Sequence, residues 1–96
     1  MPYTPESARN FDSTKKKLPP ALRTEIDSQV DRICEDPLIG QQKTGDLHRV
    51  WVHKFSLLGQ LYLLAYAIDE TRRVITLLAI GGHQSFYRDL KKYLKS

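Results

Sequence analysis

Residues 50–80, VWVHKFSLLGQLYLLAYAIDETRRVITLLAI, decide the fold. Val50 to Phe55 is rich in β-branched and aromatic residues and ends at a turn around Leu58-Gly59-Gln60. Leu61 to Ile68 is a nearly unbroken apolar run, Asp69-Glu70-Thr71-Arg72 is a polar connection, and Val74 to Ile80 is apolar again. Apolar runs of strand length bounded by turn residues read as strands, and strands joined by short turns must be antiparallel. The weak alternation of the second and third runs predicts central strands with little exposure, as expected if helices cover one side.

Upstream, Leu22, Ile26, Val30 and Ile33 recur at steps of four, four and three. That is one buried helical stripe, starting at Pro19-Pro20 and ending near Asp36, since the residue before Pro37 is disfavoured in the α region. Thr4-Pro5-Glu6 reads as a helix start, with a capping hydroxyl, a proline suited to the first turn and an acid at the positive dipole end. It predicts a first helix from Pro5 to Lys17, lightly packed through Ala8, Phe11 and Leu18, that exposes Lys15-Lys16-Lys17. The proline turn joins the two helices as an αα-hairpin. Leu38 to Gly45 reads as a loop. Downstream, Gly81-Gly82 ends the last strand, and Ser85 to Leu94 reads as a helix with Phe86, Leu90 and Leu94 at steps of four and lysines in its last turns. The predicted fold is α+β: an N-terminal αα-hairpin packed on a small antiparallel sheet of three to four strands, with a C-terminal helix, all in one domain over 1–96.

The 96 residues exclude a two-domain enzyme, and 41% hydrophobic with 27% charged residues places the chain among folded domains. One core of this size leaves little room for a deep substrate cavity. The chain has no apolar run of membrane-spanning length and no secretory leader at its start, and its single cysteine, Cys34, forms no internal disulfide. The expectation is a soluble, cytoplasmic protein without a membrane partner. Residues 1–48 hold seven Lys/Arg against eight Asp/Glu, whereas residues 49–96 hold eight against three. A polyanion or an acidic partner at the C-terminal half suits that asymmetry.

Metal chemistry finds no ligand set: His48 and His53 are five residues apart and point to opposite faces of a regular strand, and Cys34 lies in the helical stripe. No serine elbow or phosphate-cradling glycine loop is present. On the first long strand Arg49, Trp51, His53 and Phe55 share one face, and Val50, Val52 and Lys54 the other. If the valines face the helices, a guanidinium, an indole and an imidazole line the open face, a combination suited to phosphate contact and base stacking. The alternative makes Trp51 and Phe55 core, with Arg49 and His53 at the rim. His83 follows the strand-ending glycines, with Tyr87 and Arg88 one helical turn later. A histidine beside a phenol and a guanidinium can serve as general acid or base next to a charge clamp, or it can simply cap the last helix.

Lys17-Leu18-Pro19, Glu35-Asp36-Pro37, Gly45-Asp46-Leu47, Lys54-Phe55, Leu63-Leu64-Ala65-Tyr66 and above all the block Gly82-His83-Gln84-Ser85-Phe86-Tyr87-Arg88-Asp89-Leu90-Lys91 carry a resemblance. With the order of elements, the chain from Phe11 to Leu94 resembles the RelE/ParE superfamily of bacterial type II toxins. The resemblance implies a microbial RNase-like fold. It also implies a metal-independent and cofactor-free endoribonuclease that cuts messenger RNA on the ribosome and is silenced by a cognate antitoxin. By position it implies His83 as general acid, Tyr87 as orienting or stacking partner, and Lys54 and His53 as basic residues of the first long strand. It adds Arg49 and Arg88 as phosphate contacts, and with Trp51 and Lys91 they make up the expected RNA-contacting set. Two features depart from the family's pattern. The strand Tyr62 to Tyr66 has leucine where many members place an arginine, and the short N-terminus leaves Met1 to Thr4 as the only room for a first strand. The second member type that the resemblance allows is a ParE-like toxin that inhibits DNA gyrase without nuclease chemistry; a homologue with neither activity is the third.

Overall fold

The three apolar runs are adjacent strands in the computed structural model, which describes residues 2–43, 49–83 and 86. In chain order the elements are β1 (Thr4–Ser7), α1 (Arg9–Lys16), α2 (Pro20–Glu35), a 3-10 turn (Pro37–Ile39), β2 (Gln41–Gln42), β3 (Trp51–Leu57), β4 (Gln60–Asp69) and β5 (Val74–Gly82). They form one sheet in the order β1-β5-β4-β3-β2. The β3–β4 and β4–β5 pairs are antiparallel, as expected.

The N-terminus departs from its reading. Thr4-Pro5-Glu6 belongs to a strand, β1, parallel to β5, so the sheet is mixed and has five strands among the described residues. The Thr4 N–H donates to the Arg73 carbonyl and the Ala8 N–H to the Leu77 carbonyl, both at 2.9 Å, which fastens the segment to β5. An edge strand tolerates Pro5 because its outer side needs no donor, and the helix can begin only at Arg9. The second helix starts at the proline pair and ends before Asp36 as its stripe predicts. The expected helix from Ser85 to Leu94 lies outside the described residues except for Phe86, which is helical and buried.

The two helices cover one face of the sheet. Phe11 of α1 and Leu22, Ile26, Val30 and Ile33 of α2 pack with Phe55, Leu64, Tyr66, Ile75, Leu77 and Ile80. Full burial of side chains such as Ile26 and Leu64 contributes roughly 1.5–3 kcal/mol each. Val50, Val52, Leu63, Ala65 and Ala79 form a smaller cluster with Phe86 on the opposite face. The two clusters meet the alternation of β5 because the register shifts between Ala65 and Tyr66, leaving Leu78 as an extra residue.

Tyr66 ties the chain leaving α2 to the sheet. Its hydroxyl donates to the Pro37 carbonyl at 2.6 Å and accepts from the Gly40 N–H at 3.0 Å. A β-carbon at Gly40 would lie 2.6 Å from that hydroxyl and 2.8 Å from the Val52 carbonyl, so this approach requires glycine.

Candidate functional site

The direction of the β3 side chains decides which residues can act together. Trp51 and Phe55 pack into the cluster under the helices, and Val52 packs on the other side with Leu63, Ala65 and Phe86. The valines therefore do not face the helices, and the open-face row of Arg49, Trp51 and His53 does not form. Bulk decides the matter: the aromatic rings fill the wide space between sheet and α2, and Trp51 stacks against Tyr66 at 6.4 Å, Phe55 against Tyr62 at 5.7 Å.

His53 is buried on the helix side rather than at the rim. Its Nε2 lies 2.7 Å from Gln29 Oε1, while Gln29 Nε2 lies 2.6 Å from Glu25 Oε2. Because the Glu25 carboxylate only accepts, the Gln29 amide nitrogen donates to it, the amide oxygen must accept, and the His53 proton sits on Nε2. Burial, and secondarily the Arg32 charge, push the His53 pKa below its ordinary 6.5. The imidazole is thus a neutral strut between sheet and helix, on the face away from Lys54.

A pH dependence follows from this strut. Below pH 6.5 the unfolded chain binds a proton at His53 that the folded chain resists, so stability falls as pH drops, by up to about 1.4 kcal/mol per pH unit. Urea unfolding across this range is expected to show that slope in the wild type and a flatter one in His53→Gln.

The face opposite the helices holds the remaining candidates. Lys54 is exposed there, directly across from Leu63, which is across from Gly81. Strand spacing places the Lys54 and Gly81 backbones roughly 10 Å apart. Ala79 and Gly81 are on this face, and His83 follows one residue beyond β5, in a turn and exposed. A β-carbon at Gly81 would be 3.5 Å from the Phe86 ring, so Phe86 packs over the glycine on this face. Lys54 and Gly81 share this face, with His83 exposed just past the end of β5; His53 and Trp51 are on the other face. Arg49 is exposed just before β3. Tyr87, Arg88 and Lys91, and likewise His48, lie outside the described residues.

Sequence reasoning missed Gln29. Its place in the α2 stripe, three residues after Ile26 and four before Ile33, is the signal that could have revealed a polar partner waiting under the helix. A groove of about 660 Å³ runs along the outer edge of β3, lined by Gln29, Arg32, Gly40, His53, Lys54 and Ser56 among others. It lies at the far edge of the sheet from β5 and His83. Among the described residues no three His, Cys, Asp or Glu side chains converge, and no helix is long and apolar enough to cross a membrane.

Comparison with known proteins agrees with this architecture. The family model of the ParE-like toxin of type II bacterial toxin–antitoxin systems matches residues 6–91. No curated protein matches the sequence. A mutant of the Escherichia coli toxin RelE in the free state superposes with a TM-score of 0.75 at 19% identity, covering 98% of this chain and 99% of that one. The RelBE2 toxin–antitoxin complex of Mycobacterium tuberculosis gives 0.74 at 21% identity, covering 86% and 100%. The archaeal RelE–RelB complex of Pyrococcus horikoshii gives 0.62 at 20%, covering 88% and 98%. At these identities the likeness to the solved structures is one of fold.

Proposed function

The chain belongs to the ParE-like toxins of type II bacterial toxin–antitoxin systems, and from that premise we propose that it is an endoribonuclease that cuts messenger RNA on the ribosome and is silenced by an antitoxin. The observation that carries this reading is the exposed His83 just past the end of β5, two residues beyond Gly81, which shares a sheet face with the exposed Lys54. Leu63 and Ala65 in the middle of this face are fully buried, so an extended strand of RNA is engaged at its exposed end rather than in a pocket.

The chemistry needs no more than side chains. The ribose 2′-hydroxyl gives up its proton to water as its oxygen attacks the adjacent phosphorus, the bond to the 5′-oxygen breaks, and the leaving oxygen takes a proton from His83. The products are a 2′,3′-cyclic phosphate and a 5′-hydroxyl. Lys54 meets the charge that builds on the phosphate, and Tyr87, Arg88 and Lys91 supply the stacking and cationic contacts from the segment after His83. Arg49 steers the message from the entrance of β3. His53 and Trp51 hold the sheet to α2 and have no part in the reaction.

The role given to Lys54 has a measurable consequence. Lys54→Gln is expected to lower the cleavage rate constant roughly 10²-fold, the usual effect of removing one group that stabilises developing charge. Thermal unfolding should be unchanged, since the side chain is exposed.

One observation favours a second reading. The middle of the same face is apolar, with Val52, Leu63, Ala65 and Ala79 under Phe86. Leu63 stands opposite Lys54, so the cationic clamp is thin there. A protein-binding toxin that inhibits DNA gyrase needs no such clamp. Induction in cells separates the two: the nuclease reading expects rapid translation arrest with cut messages, and an SOS response with intact messages would replace it with the gyrase reading.

A further inference from the structure

We propose that the β3–β4 turn and the start of α2 together form the docking surface for an acidic, amphipathic segment of the antitoxin, with Leu58 as its central contact. The inference rests on the toxin–antitoxin reading and is independent of ribonuclease activity.

The observation that starts it is a residue doubly unsuited to its place. Leu58 and Gly59 make the two-residue turn between Leu57 and Gln60, with φ of 52° and 79°. Hairpin turns with both central residues at positive φ favour Asn-Gly, and a side chain with a β-carbon in the left-handed region costs roughly 1–2 kcal/mol. Leu58 is also 91% exposed. Asparagine would suit both the backbone and the water, whereas leucine suits neither until something covers it.

The surroundings say what that something is. Leu58 lines a mostly apolar notch of about 220 Å³ with Pro19, Ala21, Leu22, Leu57, Gln60 and Tyr62, where α2 meets the hairpin. The notch is bordered by positive charge: Thr14 to Thr24 contains four cations and no carboxylate. Lys16 and Lys17 are exposed, and a second depression beside the notch is lined by Lys15, Lys16 and Arg23, with Asp12 as its one acid. Lys15 is already paired with Asp27. An apolar knob and notch flanked by lysines fits a helix or extended segment that carries leucine or phenylalanine on one side and glutamate or aspartate on the other. RNA would use the lysines and leave the notch and Leu58 without purpose. The surface stands on the helix side of the sheet, at the end where Tyr62 of the notch pairs with Gly82, the residue before His83.

The test measures binding of the protein encoded by the reading frame adjoining this gene, by titration calorimetry, to wild type, Leu58→Asn and Lys16→Glu/Lys17→Glu. Leu58→Asn should weaken binding at least tenfold while unfolding at the same or a higher temperature and arresting growth as before. The charge-reversed variant should also bind at least tenfold more weakly, and its remaining affinity should depend less on salt. Wild-type affinity in both variants would overturn the docking surface while leaving the toxin–antitoxin reading intact. Failure of the wild type itself to bind would overturn that reading and the proposal with it. Loss of growth arrest by the variants, with antitoxin affinity unchanged, would assign this face to RNA instead.

Discussion

His83→Gln is expected to abolish growth arrest and to slow message cleavage by roughly 10²–10⁴, the contribution of one general acid. Glutamine keeps the size and hydrogen-bonding capacity of the side chain but cannot carry a transferable proton. The ring is exposed and belongs to neither apolar cluster, so the variant should fold and melt like the wild type. It should also retain affinity for the antitoxin. That combination separates a lost reaction from a lost fold, the usual confusion in toxin mutants selected for survival. Undiminished arrest would remove His83 from the mechanism, and with it the proposed action together with Lys54.

Phe86→Ala is expected to act by the other route. Phe86 is 4% exposed and closes the small cluster of Val50, Val52, Leu63, Ala65 and Ala79, so truncation leaves a cavity against the sheet. Phenylalanine-to-alanine changes at such positions cost about 3–5 kcal/mol, and in a domain this size that lowers the melting temperature by roughly 12 °C or more. Cleavage should fall as well, because Tyr87 and Arg88 follow Phe86 directly in the chain. Phe86→Leu should recover most of the stability. Calorimetric melting beside a cleavage assay reads both; a variant that melts at the wild-type temperature would show that the cluster does not depend on Phe86.

Much of the fold was legible because its central parts state their period. The stripe Leu22, Ile26, Val30 and Ile33 can be nothing but one face of a helix, and the runs ending at Ile68 and Ile80 are too short and too β-rich for helices. β1 was not legible. All four of its residues are exposed, so it has no apolar alternation, and the Thr-Pro-Glu sequence fits a helix start as well as an edge strand; only the backbone groups of β5 decide between them. The faces of β3 were ambiguous for another reason. Both carry apolar residues, two valines on one and two aromatics on the other, so a period of two cannot say which side the helices cover. Had the polar Gln29 within the α2 stripe been set against His53, the hydrogen bond between them would have oriented the strand. The position of His83 at the end of β5 was readable from the glycine pair before it. The bulge at Leu78, which hands β5 from one cluster to the other, leaves no mark in the sequence.

In the proposed reaction, Lys54 and the exposed His83 past β5 act together to cut RNA. Its most direct test adds purified wild-type protein and His83→Gln to ribosomes programmed with a defined message and identifies the ends of every fragment. The account expects the wild type to cut within the ribosome-bound stretch, leaving 2′,3′-cyclic phosphate and 5′-hydroxyl termini, and the variant to leave the message whole over the same time. An intact message with active wild-type toxin, or equal cutting by the two proteins, would contradict it.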